Sequence, residues 1–331
     1  MSAREAKGGF SVKLYRRSVL AGAAALSASP KAFAQAYPSK PIKIIVPFAA
    51  GSATDLTARG LGAKLQDILK QPVVIDDKPG ASGQLGASAV ATAPADGYTL
   101  LMGTNTTNAA NPALFKKLSY DPEKDFVPIM RCVTGVNVLV VNNDLPIKSI
   151  AELIDYAKKN PGKLNYAEAS ASQRLSAEMF NKMAGVKIER VPYKASPQAV
   201  GDVISGQVQV MFPDLPQGLA QIDAGKVRGL GTTGAQRTTV APTLPAIAET
   251  VPGYVLVYWL AVFAPAGTPK DIQKTLADAI TEALKDPATA RAMTQGRMEI
   301  SPLPLDQFAA YVKEQTAWWT KEIRAAGIEP E

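Results

Sequence analysis

From Tyr37 onward the chain alternates short β-branched, apolar runs with stretches in which apolar residues recur every three or four positions. That alternation constrains the fold more than any other feature. Strand–helix–strand units of this kind bury their apolar faces by laying helices over a shared sheet. Ile42-Lys-Ile-Ile-Val-Pro-Phe48 reads as a strand, and Leu61, Leu65, Ile68 and Leu69 fall at helical spacing. Val73-Val-Ile75, residues 84–93 and Tyr98-Thr-Leu-Leu-Met102 continue the pattern as strand, helix and strand. The expectation is a mostly parallel sheet with helices on both faces. A second unit starts at Asn137-Val-Leu-Val-Val141 and runs through a helix carrying Ile150, Leu153, Ile154 and Ala157. A strand at 164–167, a helix at 173–184 and strands near 188–191, 208–212 and 227–232 follow. The nearly all-apolar segment 254–264 reads as a buried strand crossing between domains, and the chain after Pro265 reads as helical. At 331 residues there is room for two domains, so the reading is two α/β lobes with a helical tail.

What the chain lacks excludes much chemistry. It has no histidine and a single cysteine, Cys132. Ser-His-Asp and Cys-His triads, histidine-ligated metals and a histidine proton relay are excluded. So are an internal disulfide and any cysteine-cluster metal site. Neither a metal nor a cofactor is expected. The formal charge of +7 points toward a nucleic-acid partner only until its location is considered. Residues 1–34 hold six basic groups and one acid, leaving thirty basic and twenty-eight acidic groups for the rest. The surplus belongs to a leader, and no nucleic-acid partner is expected.

That leader has the three parts of an export signal. A basic region runs to Arg17, residues 18–29 are uncharged, and Ala32-Phe33-Ala34 forms a small-x-small cleavage pattern. The 12-residue uncharged stretch is short of the roughly 20 residues that span a bilayer, which disfavours a membrane anchor. Tyr15-Arg16-Arg17-Ser18-Val19-Leu20 resembles a twin-arginine signal, with the general secretory route as the alternative. The mature chain is expected to begin near Gln35, in the periplasm.

Several segments, in order, carry a family resemblance. They are Tyr37-Pro-Ser-Lys-Pro41, Val46-Pro-Phe-Ala-Ala-Gly-Ser-Ala-Thr-Asp55, Lys78-Pro-Gly-Ala-Ser-Gly83 and Asp96-Gly-Tyr-Thr-Leu-Leu101. Tyr120-Asp-Pro-Glu-Lys-Asp-Phe126, Pro161-Gly-Lys-Leu-Asn-Tyr166, Val191-Pro-Tyr-Lys194 and Ala264-Pro-Ala-Gly-Thr-Pro269 continue the series. Their order and spacing across the mature chain resembles the extracytoplasmic solute receptors of tripartite tricarboxylate transporters, also called Bug receptors. The resemblance implies a type II periplasmic-binding-protein fold, with two α/β lobes around a ligand cleft. Lobe 1 is then discontinuous, residues 35–137 plus 259–331, and lobe 2 is residues 138–258. The resemblance also implies a monomer that binds a di- or tricarboxylate or an aromatic acid and serves a membrane permease. A periplasmic partner of a membrane sensor would use the same cleft and stays open as the alternative. An enzyme acting on a small carboxylate stays open only through paired carboxylates.

The first candidate site is the loop after the first strand, Phe48, Ala49, Ala50, Gly51, Ser52, Ala53 and Thr54. The carboxyl end of a strand faces the crevice of an open α/β sheet, and small residues let backbone N–H groups approach a ligand. The family implies a ligand carboxylate here, with Phe48 packing on its carbon skeleton. The plain alternative is a helix start with Thr54 as N-cap. The polar run Gly103-Thr-Asn-Thr-Thr-Asn108 follows the third strand and either touches ligand, with Thr106 as the candidate, or shapes turns. The family often has a histidine at the position of Asn108. Gly80-Ala-Ser-Gly83-Gln-Leu-Gly86 lacks the spacing of a dinucleotide loop and reads as a tight turn. In the second unit, Ser170, Ser172, Gln173 and Arg174 open a helix, with Ser172 as expected N-cap. Arg174 either pairs with Glu178 one turn on or reaches the ligand as a two-donor fork. Asp214 follows a later strand and is expected to accept from a backbone N–H, a water or a ligand amine. Tyr193 and Lys194 offer a phenol and an ammonium, or a solvated strand edge.

Overall fold

The computed structural model describes Gly8, residues 37–295 and residues 298–331. Apart from Gly8, the expected export signal lies outside the described residues. Ile42–Val46 (β1) pairs in parallel with Val73–Asp77 (β2) on one side and Thr99–Thr104 (β3) on the other. The helices Ala53–Leu69 (α1) and Gln84–Ala91 (α2) make the crossovers, as the alternation predicts. A π-helical turn at Thr106–Ala110 and a short helix Asn111–Leu114 (α3) then lead to an eleven-residue strand, Phe126–Val136 (β4). Only Asn137 separates β4 from Val138–Asn142 (β5), which opens the second sheet.

Ile150–Lys159 (α4), Asn165–Glu168 (β6), Ala171–Ala184 (α5), Glu189–Pro192 (β7) and Ser196–Ile204 (α6) follow. Val210–Met211 (β8), Leu215–Asp223 (α7) and Val227–Thr232 (β9) complete that sheet. The chain returns along Val257–Pro265 (β10) and ends in Lys270–Lys285 (α8), Pro287–Gln295 (α9), Glu299–Pro304 (β11) and Leu305–Ala325 (α10). The first sheet has the order β11-β4-β10-β3-β1-β2 and draws on residues 42–136 and 257–304. The second has the order β7-β6-β8-β5-β9 and draws on residues 138–232.

The sheets are mixed, not mostly parallel. β10 runs antiparallel to both β3 and β4, β11 to β4, and β5 to both β8 and β9. The reason is topological. β4 carries the chain out of the first sheet and β10 brings it back, and an outgoing and a returning strand laid side by side run antiparallel without a helical crossover. β10 therefore occupies an interior position, which accounts for its unbroken burial from Tyr258 to Pro265. Trp259 and Phe263 of this strand meet Phe308 of α10 at ring-centroid distances of 5.8 and 5.2 Å. Burying each such ring stabilises by roughly 2–3 kcal/mol, so α10 is pinned across the end of the first sheet.

Candidate ligand-binding site

The loop after β1 turns sharply because Gly51 takes φ +80°, a left-handed conformation that costs glycine nothing. Ser52 then caps α1: its backbone is extended and its Oγ accepts from the Asp55 N–H at 3.3 Å. Asp55 answers by accepting from the Gly51 N–H at 2.8 Å. The N-cap is thus Ser52, two residues before the expected Thr54, which sits inside the first turn.

The start of α5 shows the same shift. Ser170, not Ser172, is the N-cap and accepts from the Gln173 N–H. Gln173 is committed to the scaffold: its Oε1 accepts from the Ala169 N–H at 2.8 Å and its Nε2 donates to Ser196 Oγ at 3.0 Å. Ser196 in turn donates to Gln217 Oε1 at 2.7 Å. One chain of side-chain bonds therefore ties together the first turns of α5, α6 and α7.

These helix starts face one cavity of about 40 Å³. Phe48, Ala49, Ser52, Thr54, Asn105 and Thr106 line it from the six-stranded sheet's side. Ser170, Ser172, Gln173, Lys194, Ser196 and Asp214 line it from the other, and Tyr258 and Leu260 contribute from β10.

Of the residues expected from sequence, Phe48, Ala49, Ser52, Thr54, Thr106, Ser170, Ser172, Gln173 and Asp214 meet here. Ala50 and Gly51 are exposed and lie outside the lining, because the left-handed turn swings them outward. Ala53 is also outside it, but its backbone N–H donates to Asp214. Arg174 is not in the cavity either. Its Nη1 pairs with Glu331 Oε1 at 2.7 Å, whereas Glu178, its other expected partner, accepts from the Tyr166 hydroxyl at 2.5 Å. With Ser170 as the cap, Arg174 lies two residues deeper in the helix than a Ser172 cap would place it, on a face away from the cavity. Tyr193 is likewise elsewhere, donating to Asp202 at 2.7 Å.

Thr104 and Asn105 belong to the polar run expected at this place, whereas sequence reasoning passed over Ala169, Ala195, Ser196, Pro197, Tyr258 and Leu260 as cavity residues. For Ser196 and Pro197 a signal existed, since Pro in the first turn marks a helix start just after a strand. Tyr258 gave none. Its ring lies over Gly135 of β4, where an added Cβ would come within 2.4 Å of the ring, so only glycine fits opposite it.

The electrostatics are dominated by donors. Asn105 Nδ2 and the Tyr258 hydroxyl are buried and have no hydrogen-bond partner among the described residues. A buried donor left this way costs roughly 1–3 kcal/mol, a cost that a bound acceptor removes. Asp214 is the exception in sign. Burial pushes its carboxyl up to about 6, partly offset by the Ala53 N–H that donates to it. Burial, and then the charge of Asp214, raises the Tyr258 phenol well above its ordinary range and keeps it a neutral donor.

The sequence profile of the tripartite tricarboxylate transporter family receptor matches residues 57–328. The chain belongs to that family. Protein BugT of Bordetella pertussis (strain Tohama I) is 36% identical to this receptor over 299 residues, covering 89% of this chain and 91% of the relative. Among solved structures, an R. palustris protein with adipate superposes with a TM-score of 0.86 at 35% identity, covering 89% of this chain and 100% of its own. MatC from Rhodopseudomonas palustris with bound malate gives a TM-score of 0.81 at 30% identity, covering 87% and 100%. The receptor thus has the two-lobed type II periplasmic-binding-protein fold expected from its motifs. Among its described residues, no helix is long and apolar enough to cross a membrane.

Proposed function

We propose that this receptor captures a small organic acid, most simply a dicarboxylate, between two lobes and delivers it to a tripartite membrane permease. Lobe 1 is residues 35–137 plus 259–331, and lobe 2 is residues 138–258. The observation that carries the reading is the convergence of four helix N-termini, one of α1 and three of α5, α6 and α7 from the other half of the molecule, on one cavity. Each N-terminus carries a partial positive charge of roughly half a unit, and oriented N–H groups suit a carboxylate. Ser52 and Thr54 would hold one carboxylate, and Ser170, Ser172 and the Lys194 ammonium the other. Asn105 and Tyr258 supply further donors, and Phe48 and Leu260 face the carbon skeleton. The adipate and malate of the two solved relatives support a dicarboxylate.

The receptor works as a binding protein, exported as a monomer to the periplasm with its leader removed before Gln35. N-terminal sequencing of periplasmic receptor checks the address, and a chain still starting at Met1 would overturn it.

The ligand class is tested by thermal shift of the mature protein against a panel of mono-, di- and tricarboxylates and aromatic acids. A ligand present at a hundred times its Kd stabilises the native state by about 2.7 kcal/mol, which raises Tm by several degrees. No shift with any acid at millimolar concentration, alongside a shift with a neutral or cationic solute, would reject the carboxylate reading.

A further inference from the structure

Arg174 lines a second hollow of about 340 Å³ that shares Ser170 and Lys194 with the ligand cavity and so lies at its rim. Its side chain is only 12% exposed, and its Nη1 lies 2.7 Å from Glu331 Oε1. Arg190, on β7, donates to the same oxygen. Arg190 also grips Glu168 at the end of β6, with Nη2 and Nε at 2.7 and 2.8 Å from Oε1. Two guanidiniums from the five-stranded sheet's half thus converge on one carboxylate oxygen. That carboxylate comes from the other half of the molecule. The Glu331 N–H donates to Leu114 O and its carbonyl accepts from the Lys116 N–H, both at 2.9 Å, just past α3. Without Glu331, two buried or half-buried guanidiniums would share the single carboxylate of Glu168. Burial pulls the Glu331 carboxyl upward, but the Arg190 hydrogen bond and the charges of Arg174 and Arg190 outweigh it and hold the group below its ordinary range.

The geometry points to a clasp: Glu331, anchored beside α3, bridges Arg174 and Arg190 when the cleft is shut, and this ion pair governs how fast a bound carboxylate escapes. The inference rests on the proposed capture of an acid between the two lobes, and adds that they close over it. Glu331 touches no part of the cavity, so it is a positioning residue that acts through the closed form. Opening about the crossings near Asn137 and Trp259 carries Leu114 and Lys116 away from α5 and β7, and the bridge must break. A network of one carboxylate against two guanidiniums, one of them largely buried, is screened by water less than an isolated surface pair.

Glu331→Gln keeps the side-chain shape and removes the charge. Stopped-flow tryptophan fluorescence with adipate and with malate should show the dissociation rate raised about five- to tenfold, with the association rate within twofold of wild type. Glu331→Asp should recover part of the effect, and added salt should speed dissociation from wild type more than from Glu331→Gln. Unchanged dissociation in Glu331→Gln would overturn the clasp. Slower dissociation would also overturn it, marking Glu331 as a competitor of the ligand. Failure of the wild type to bind either acid would count against the ligand reading instead. The clasp is then read without ligand, by amide hydrogen exchange of residues 111–116 and 171–176. Faster exchange in both segments of Glu331→Gln supports it, and identical exchange overturns it.

Discussion

Asp214 occupies an odd place for a receptor of anions. Its carboxylate takes the Ala53 N–H, one of the orphan donors at the start of α1 that suit a ligand carboxylate. With its folded pKa raised from 3.8 to about 6, the folded chain binds more protons than the unfolded chain between those values. Stability conferred by the protonated form is fully present below about 4 and is lost as pH rises through about 6. The loss is about 3 kcal/mol, taking 1.36 kcal/mol per unit. Asp214→Asn keeps an oxygen for the Ala53 N–H and removes the titration. It should therefore stabilise the ligand-free receptor by about 2–3 kcal/mol at pH 8 and have little effect at pH 4. Thermal melts of both proteins at the two pH values check this, and an equal difference at both would contradict it. The same substitution shows why Asp214 was hard to interpret from sequence. Its place after a strand gives the expectation of a backbone N–H, a water or a ligand amine as its donor, but which donor it takes is set by distant chain, Ala53 of α1, with Tyr258 of β10 beside it.

At the scale of elements, what was legible was what is encoded locally. β1, β2 and β5 are short β-branched runs, β3 holds the apolar run Leu-Leu-Met, and α1, α4, α5 and α8 carry apolar residues on one face, so pattern and structure coincide. β4 was not legible. Pro128, Arg131 and Gly135 interrupt its apolar run, and Arg131 and Gly135 are explained only by distant chain. Arg131 lies over the Tyr311 ring at 4.4 Å and donates to the Ser301 carbonyl at 2.9 Å, and Gly135 makes room for Tyr258. β11 was hidden for the same reason, since it exists by pairing with β4. The helix caps were misplaced by two residues because Ser52 and Thr54, or Ser170 and Ser172, are equally good caps by type. What selects between them is the extended backbone at Ser52 and Ser170. The candidate loops were found from strand ends, whereas Arg174 was misread because its partner lies 157 residues away.

For the whole molecule, the cavity is lined by Ser52, Thr54 and Tyr258 on one side and by Ser170, Gln173 and Asp214 on the other, and the chain passes between the two sheets twice, at Asn137 and again ahead of β10. A ligand that bridges both walls favours the closed form by its differential affinity for it. Small-angle scattering should show the radius of gyration fall when the ligand-free receptor is saturated with a bound acid. No change, starting from a demonstrably open state, would argue against hinge closure. Cys132 adds a practical consequence. It is buried within β4, and burial pushes its thiol up to about 12, so near neutrality it is both protonated and shielded. No other cysteine exists in the chain. An engineered cysteine at the exposed Lys116, beside the Glu331 contact, would be the one sulfur able to take a maleimide dye. The receptor can therefore become a fluorescent reporter of its own ligand with its native sulfur left in place.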